Sequence, residues 1–365
     1  MNIALNKEKL LLNIKIAQEF TANRLTSTQA LQGVYLSTEG KVLHVYSTDL
    51  NSYFHTTLLE GDVPDVHIII EPKKIIEFVQ LLDAGDINLI MSGQSMTIQQ
   101  KKTKGVFPCI VAEDFPQPPQ LSDTSEQIET SLISKNLSKL LFSASSDDAR
   151  PVLTGVNIVS EETGVVFVTT DGFRLSIVKE AQKGAIPSMI IPSDFLKKVS
   201  GYIKDSKSIS FSYSKKEQVV RLSNGEMDFY TSLIDGEFPP YERVLPDDKT
   251  TTIVIQRQEL IRNTKLISVF ARDYSHVVQY DFSDNMLRIS PKKEANEENV
   301  TTQDAKIDGA PQKVAFNYRY VIDFLNSVDS EEIIIEILRP DAPVVFKSAK
   351  DTTYTHIIMP VRTQE

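Results

Sequence analysis

Three landmarks recur in this chain about 122 residues apart, and that spacing limits what it can fold into more than its composition does. Gly33-Val34-Tyr35 returns as Gly155-Val156-Asn157, and Thr48-Asp49-Leu50 as Thr170-Asp171-Gly172, both after 122 residues. Asp114-Phe115-Pro116 returns as Glu237-Phe238-Pro239 after 123. So long a period marks repeated domains rather than a solenoid, whose units run to roughly 20–50 residues. A more diverged third copy follows. Residues 258–268 mirror 135–145, His276-Val277-Val278 takes the place of Gly155-Val156-Asn157, and Ala315-Phe316-Asn317-Tyr318 mirrors Ile190-Ile191-Pro192-Ser193. The Thr-Asp turn is missing there, with Ser290-Pro291 near its place, and the polar stretch 292–312 reads as an exposed hairpin or loop.

The copies share one grammar. Helix candidates open them at 7–20, 134–145 and 257–268. A second helix starts behind a Pro, Ser or Asn at 72–82, 193–204 and 317–326, as helix starts do. Period-2 runs at 87–90, 96–100, 152–160, 165–170, 208–213, 219–222, 333–338 and 344–347 read as half-buried strands. The prediction is an α+β chain of three tandem two-helix, antiparallel-sheet domains. Pro- and Ser-rich residues 117–126 and the run 246–249 read as linkers, placing the domains at 1–120, 127–246 and 250–365.

With 41% hydrophobic residues the chain can build real cores. Its single cysteine, Cys109, rules out an internal disulfide framework and suits a reducing compartment. No apolar run is long enough to span a bilayer and no basic leader precedes one, so the expectation is a cytoplasmic protein with no membrane partner.

A net charge of −10 argues against a nucleic-acid binder until it is distributed. The six helix candidates together carry +8, leaving −18 for the rest. Lys135 and Lys139, Lys197 and Lys204, and Arg262 and Lys265 fall at spacings that share a helical face. For any one helix a solvated face explains this; repeated over three copies, the faces can merge into a basic lining suited to a phosphate backbone without base recognition.

Enzyme signatures are missing: no Walker loop, no G-x-S-x-G, no H-E-x-x-H, no paired-Cys zinc pattern. His44, His55, His67, His276 and His356 are scattered. His44 and His55 can be drawn into a site with Asp49, but alternating strand positions explain them. Asp49 and Asp171 read as turn carboxylates binding nearby backbone N–H groups. The expectation is a non-catalytic chain with no cofactor and no metal. Two alternatives stand beside the basic-lining reading: an interaction scaffold that never meets DNA, and a hydrolase using Asp49 or Asp171.

Thr170-Asp171-Gly172-Phe173-Arg174-Leu175, Asp235-Gly236-Glu237-Phe238-Pro239-Pro240-Tyr241 followed by Arg243-Val244-Leu245-Pro246, and the terminal Met359-Pro360-Val361-Arg362 are each weak motifs. In this order, over three repeats and the whole chain, they resemble the bacterial sliding clamps, the β subunits of DNA polymerase III. The resemblance implies a head-to-tail homodimeric ring around duplex DNA, helices inside and sheets outside. It also implies that the ring tethers the replicative polymerase, the clamp loader and repair proteins through short hydrophobic peptides. Carried over by position, the peptide pocket comprises Leu153, Thr170, Gly172, Phe173, Arg174, Leu175, Pro239, Arg243, Val244, Pro343, Val344, Ile357, Ile358, Met359, Pro360 and Arg362. Aliphatic residues would form its cleft and arginines its rim. The DNA-contacting candidates are Arg24, Lys73, Lys74, Arg150, Lys197 and Lys198, and the dimer seam would join Phe107 to Val269 and Phe270. Phe173 stands where the family often has His, and Thr363-Gln364-Glu365 extend past Arg362, both of which bear on peptide preference.

Overall fold

The computed structural model describes all residues except 1, 23–27, 62, 113, 122–124, 182–185, 273–274, 293–298 and 363–365. Among the described residues one module, strand–helix–three strands, runs six times. The first is β1 (Asn2–Asn6), α1 (Lys7–Glu19), β2 (Val34–Glu39), β3 (Val42–Thr48) and β4 (Ser52–Glu60). The second is β5 (His67–Ile70), α2 (Pro72–Gln80), β6 (Asp86–Ser92), β7 (Ser95–Gln100) and β8 (Thr103–Val111). The third is β9 (Ser125–Glu129), α3 (Thr130–Leu140), β10 (Gly155–Glu161), β11 (Gly164–Thr170) and β12 (Arg174–Glu180). The fourth is β13 (Met189–Pro192), α4 (Ser193–Ile203), β14 (Ser208–Ser214), β15 (Val219–Ser223) and β16 (Met227–Ser232). The fifth is β17 (Thr251–Gln256), α5 (Arg257–Ala271), β18 (Val277–Ser283), β19 (Met286–Pro291) and β20 (Thr301–Gly309). The sixth is β21 (Gln312–Asn317), α6 (Tyr318–Ser327), β22 (Glu332–Ile337), β23 (Val344–Ser348) and β24 (Tyr354–Ile358).

Modules work in pairs by exchanging their lead strands. β1 pairs with β6 of the sister module and β5 with β2. β9 pairs with β14 and β13 with β10; β17 pairs with β22 and β21 with β18. The chain forms two compact bodies, residues 1–131 with 198–233 and residues 132–197 with 234–365. Each holds one twelve-stranded sheet, ordered β1-β6-β7-β8-β5-β2-β3-β4-β16-β15-β14-β9 and β13-β10-β11-β12-β24-β23-β22-β17-β20-β19-β18-β21.

Local chemistry sets the helix starts. Asn6 caps α1 by accepting from the Lys9 N–H, Asn317 caps α6 by accepting from Arg319, and Pro72 opens α2. Ile75, Ile76 and Val79 of α2, and Val321, Phe324 and Leu325 of α6, form buried stripes at helical spacing. Every helix expected from the sequence is present, but α3 begins four residues before the predicted 134. The predicted strand 152–160 opens instead as a 3-10 turn, Pro151–Thr154, because Pro151 fits a first helical position. Residues 125–126, read as linker, belong to β9, and 301–309 of the stretch read as an exposed hairpin or loop form β20, antiparallel to β19, with Gln303 and Ala305 buried between exposed polar neighbours. No helix among the described residues is long and apolar enough to cross a membrane.

The repeated glycines mark where an exchanged strand passes closest. A Cβ on Gly33 would lie 2.3 Å from Ile69 Cγ2 and 2.9 Å from the Ile70 carbonyl. On Gly155 it would lie 2.4 Å from Ile190 Cγ2 and 3.0 Å from the Ile191 carbonyl. Gly201 in α4 has open space around its Cα. Gly155→Ala should therefore lower unfolding stability by about 2 kcal/mol, whereas Gly201→Ala should be neutral or stabilising by up to about 1 kcal/mol. Urea denaturation of the two variants checks the contrast.

Candidate functional site

The site begins at a turn. Asp171 Oδ1 accepts from the N–H groups of Phe173 (2.9 Å) and Arg174 (3.0 Å). Thr170 Oγ1 accepts from Gly172 N–H (3.0 Å) and donates to the Arg174 carbonyl (2.6 Å), with Gly172 at φ +91°. Thr48-Asp49-Leu50-Asn51-Ser52 repeats the arrangement: Asp49 Oδ1 accepts from Asn51 (3.0 Å) and Ser52 (2.7 Å), and Leu50 stands at φ +75°. Both carboxylates build turns, as their place in the repeat predicts.

Arg174 braces this turn. Its Nε donates to Asp171 Oδ2 at 3.0 Å and its Nη1 to Asp323 Oδ2 at 2.6 Å, and the guanidinium stacks on Tyr320 at 4.4 Å. With its side chain 11% exposed, it is an internal tie to α6 rather than the rim cation expected from sequence. The charge is spent on two carboxylates because burying it unpaired would cost far more.

Strand register brings the turn to the C-terminal strand. Leu175 lies opposite Ile357 and Arg174 opposite Ile358, while Val345 and Val344 face the same two residues from β23. The Met359 N–H donates to the Phe173 carbonyl at 2.8 Å. Because strand faces alternate, Leu175 and Ile357 fall on one face with Val166, Val168, Ile177 and Val345, an apolar floor against which Tyr241, Phe238 and Leu245 pack. Arg174, Val344 and Ile358 point to the other face. Around the floor, Phe173 is 60% and Val244 37% exposed; Gly172, Pro239, Arg243 and Arg362 are exposed. Thr170, Pro343, Met359 and Pro360 are half-buried, and Leu153 is buried in its 3-10 turn. The floor residues Val166, Val168, Ile177, Val345, Tyr241 and Phe238 escaped the sequence reading. Strand alternation through 165–170 and 344–347 carried the signal for three of them, Val166, Val168 and Val345.

The cation candidates divide. Lys73 and Lys74 are exposed at the start of α2, Lys74 within 3.2 Å of Glu71. Arg150 packs beside Gly172 and donates to Asp147 at 3.1 Å. Lys197 is exposed and lines an open groove of about 680 Å³ with Leu137, Phe142, Asp148 and Asp194. Lys198 is half-buried, its Nζ 5.5 Å from the Phe20 ring. Arg24 lies outside the described residues, as do Thr363, Gln364 and Glu365. Lys139, expected to share an exposed face with Lys135, is instead buried and donates to Asp351 at 2.6 Å. Of the seam candidates, Phe107 is half-buried on β8, edge-on to Phe78 at 5.4 Å. Val269 and Phe270 are exposed on α5 beside Leu266.

Behind the floor, His356 on β24 is fully buried; its Nδ1 is hydrogen-bonded to Ser176 Oγ at 2.9 Å and its Nε2 has no partner. Burial, then the charge of Arg174, pushes its imidazole down to about 3. Below the ordinary histidine range the unfolded chain takes up a proton that the folded chain refuses, so stability falls as pH drops from about 6.5 toward 3. The slope from this residue approaches about 1.4 kcal/mol per pH unit, and His356→Gln should remove it. Denaturant titrations between neutral pH and pH about 4.5 measure this directly.

Three family models, for the N-terminal, central and C-terminal domains of the DNA polymerase III beta subunit, match residues 1–119, 127–240 and 242–362. A beta sliding clamp of Treponema pallidum is 26% identical over 374 residues, covering all of both chains. One of Staphylococcus aureus is 24% identical over 308 residues, covering 81% of this chain and 80% of its own. Among solved structures, the beta subunit of DNA polymerase III from Thermotoga maritima superposes with a TM-score of 0.91 at 22% identity, covering all of both chains. A Pseudomonas aeruginosa sliding clamp bound to griselimycin does so with 0.89 at 20% identity, again over both full lengths. Matched in order over nearly its whole length, the chain belongs to the DNA polymerase III beta subunit family, the bacterial sliding clamps.

Proposed function

We propose that two copies of this chain close head to tail into a ring around duplex DNA, and that the apolar floor tethers the replicative polymerase, the clamp loader and repair proteins by short hydrophobic peptides. The family is a non-catalytic processivity factor, so the work is topological: a closed ring stays on DNA without gripping it. The reading keeps the domains at 1–120, 127–246 and 250–365, turns the helices inward and the sheets outward, and takes the cytoplasm as its compartment.

The observation that carries it is a pair of unlike apolar patches. The first body exposes Leu81 (88%), one helical turn beyond the Phe78 on which Phe107 packs; the second exposes Leu266, Val269 and Phe270 along α5. Exposed large apolar side chains favour cover, and two different groups of them satisfy each other only in a heterologous contact, which closes into a ring when its rotation allows. In such a ring the exposed cations of the helices face the phosphates, and the net negative charge of the rest of the chain repels DNA from the rim. Lys73, Lys74, Arg150, Lys197, Lys198 and Arg24 make few, exchangeable phosphate contacts, as sliding needs.

At the peptide floor, Phe173, Val244, Met359 and Pro360 offer apolar contact, while Arg243 and Arg362 at the edge orient the peptide's polar ends. Two outcomes are expected. Protein loaded onto nicked circular DNA by a clamp loader and ATP should stay bound through a salt wash and leave when the circle is cut; release that ignores cutting defeats the reading. Val244→Glu with Phe173→Asp, both at exposed positions, should weaken binding of a fluorescent hydrophobic pentapeptide by about tenfold or more while leaving the melting temperature within a degree or so.

A further inference from the structure

The first body carries a surface in the same place as the peptide floor, with opposite chemistry. Thr48 pairs with Tyr53 as Thr170 pairs with Leu175. Tyr53 faces Tyr230 as Leu175 faces Ile357, and Arg221 faces Tyr230 as Val345 faces Ile357. Even the flanking bond recurs, Ser232 N–H to Asn51 carbonyl matching Met359 N–H to Phe173 carbonyl. By this register His44, Tyr46, Tyr53 and His55 replace Val166, Val168, Leu175 and Ile177. An apolar peptide finds no floor here.

The replacement puts two imidazoles side by side on β3 and β4, His44 Nδ1 and His55 Nε2 being 3.0 Å apart. His55 Nδ1 lies 3.1 Å from Asp228 Oδ2, and Arg221 donates to Asp228 Oδ1 at 3.0 and 2.6 Å. Burial opposes ionisation of Asp228, but hydrogen bonds from His55, Ser223 and Arg221 outweigh it and hold the carboxyl down at about 2. An ionised carboxylate accepts, so His55 carries its proton on Nδ1 and presents an Nε2 lone pair toward His44. A carboxylate fixing one ring nitrogen so that the other can ligate is the usual support of a metal-binding histidine.

We propose that His44 Nδ1 and His55 Nε2 form a two-imidazole chelate for a divalent transition-metal ion such as zinc or nickel. With metal–nitrogen bonds of about 2.0–2.1 Å, a tetrahedral ion needs its two nitrogens about 3.4 Å apart, so the rings open by about 0.4 Å from the separation observed. The Nδ1 proton of His44 leaves to solvent and one returns to Nε2, so no net proton is lost when both rings start neutral. Burial and the neighbouring His55 push the His44 imidazole down, against the upward pull of Glu39 and Glu60. Glu39 on β2, Glu60 on β4 and Asp228 on β16 make the setting acidic; Arg221 on β15 is tied to Asp228, and Tyr46 on β3 donates to Glu39. Among the described residues no third His, Cys, Asp or Glu completes the set, so water fills the remaining positions. Imidazole donors favour zinc, nickel and copper, while magnesium prefers oxygen. A bound ion would clip β3 to β4 and, through Asp228, to β16.

The test is calorimetric titration of the tag-free full-length chain with Zn²⁺ and Ni²⁺ at neutral pH, alongside NMR of its imidazole carbon–proton signals. The expected result is one ion per chain, with Mg²⁺ inert and only His44 and His55 shifting among the histidines. His44→Gln or His55→Gln should each cost about tenfold or more in affinity, Asp228→Asn a smaller part of that. No heat from Zn²⁺ in large excess overturns the proposal. So do binding unchanged in a folded His44→Gln variant and wild-type shifts at His67 in place of His44 and His55; the NMR arm decides even if a variant does not fold.

Discussion

Lead-strand exchange is the constraint on which the rest of this structure depends. A strand–helix–three-strand module cannot satisfy its own first strand; it lends that strand to its sister and borrows one in return. The backbone hydrogen bonds of each lead strand are therefore long-range, and the borrowed strand must pass close to its host. Gly33 and Gly155 sit at those crossings, where a single methyl group would collide with an isoleucine and a carbonyl. The exchange also leaves the outer meander strands free to pair beyond their own pair of modules, β4 with β16 and β12 with β24. Those two seams carry the surfaces of functional interest.

The two seams are built alike and finished differently. At β12–β24 the positions facing out of the sheet are valine, leucine and isoleucine, and the buried arginine behind them is neutralised by Asp171 and Asp323. At β4–β16 the same positions carry histidine, tyrosine and arginine, tied by hydrogen bonds across strands. One backbone pattern thus presents an apolar surface and a polar one, because pairing is a property of the main chain while chemistry is a property of the face.

Much of this was legible in the sequence. The 122-residue spacing pointed to three copies, and capping residues and apolar periodicity located six helices, since both signals are local. The turn role of Asp171 was readable because Asp49 repeats it. What escaped depends on partners far along the chain. Lys139 has the spacing of a surface lysine, but Asp351 lies over two hundred residues away and draws it inside. Arg174 looks like a rim cation until β24 and α6 are in place. Residues 301–309 left hairpin and loop open because β20 buries only Gln303 and Ala305 of its length, so its apolar alternation is weak. The part of the apolar floor contributed by Tyr241 and Phe238 lies in a Pro-rich segment with no strand period to betray its inward face.

The functional account turns on closure. Basic helices on an acidic chain are useful only if the helices of two copies face one opening, and the unlike apolar patches of the two bodies are useful only if they meet between copies. Single-particle electron microscopy of the purified protein tests this most directly. The account predicts a continuous closed annulus of two chains, with Lys73, Lys74 and Lys197 around its hole. Separate crescents, open filaments, or an annulus with those lysines on its outer wall would contradict it.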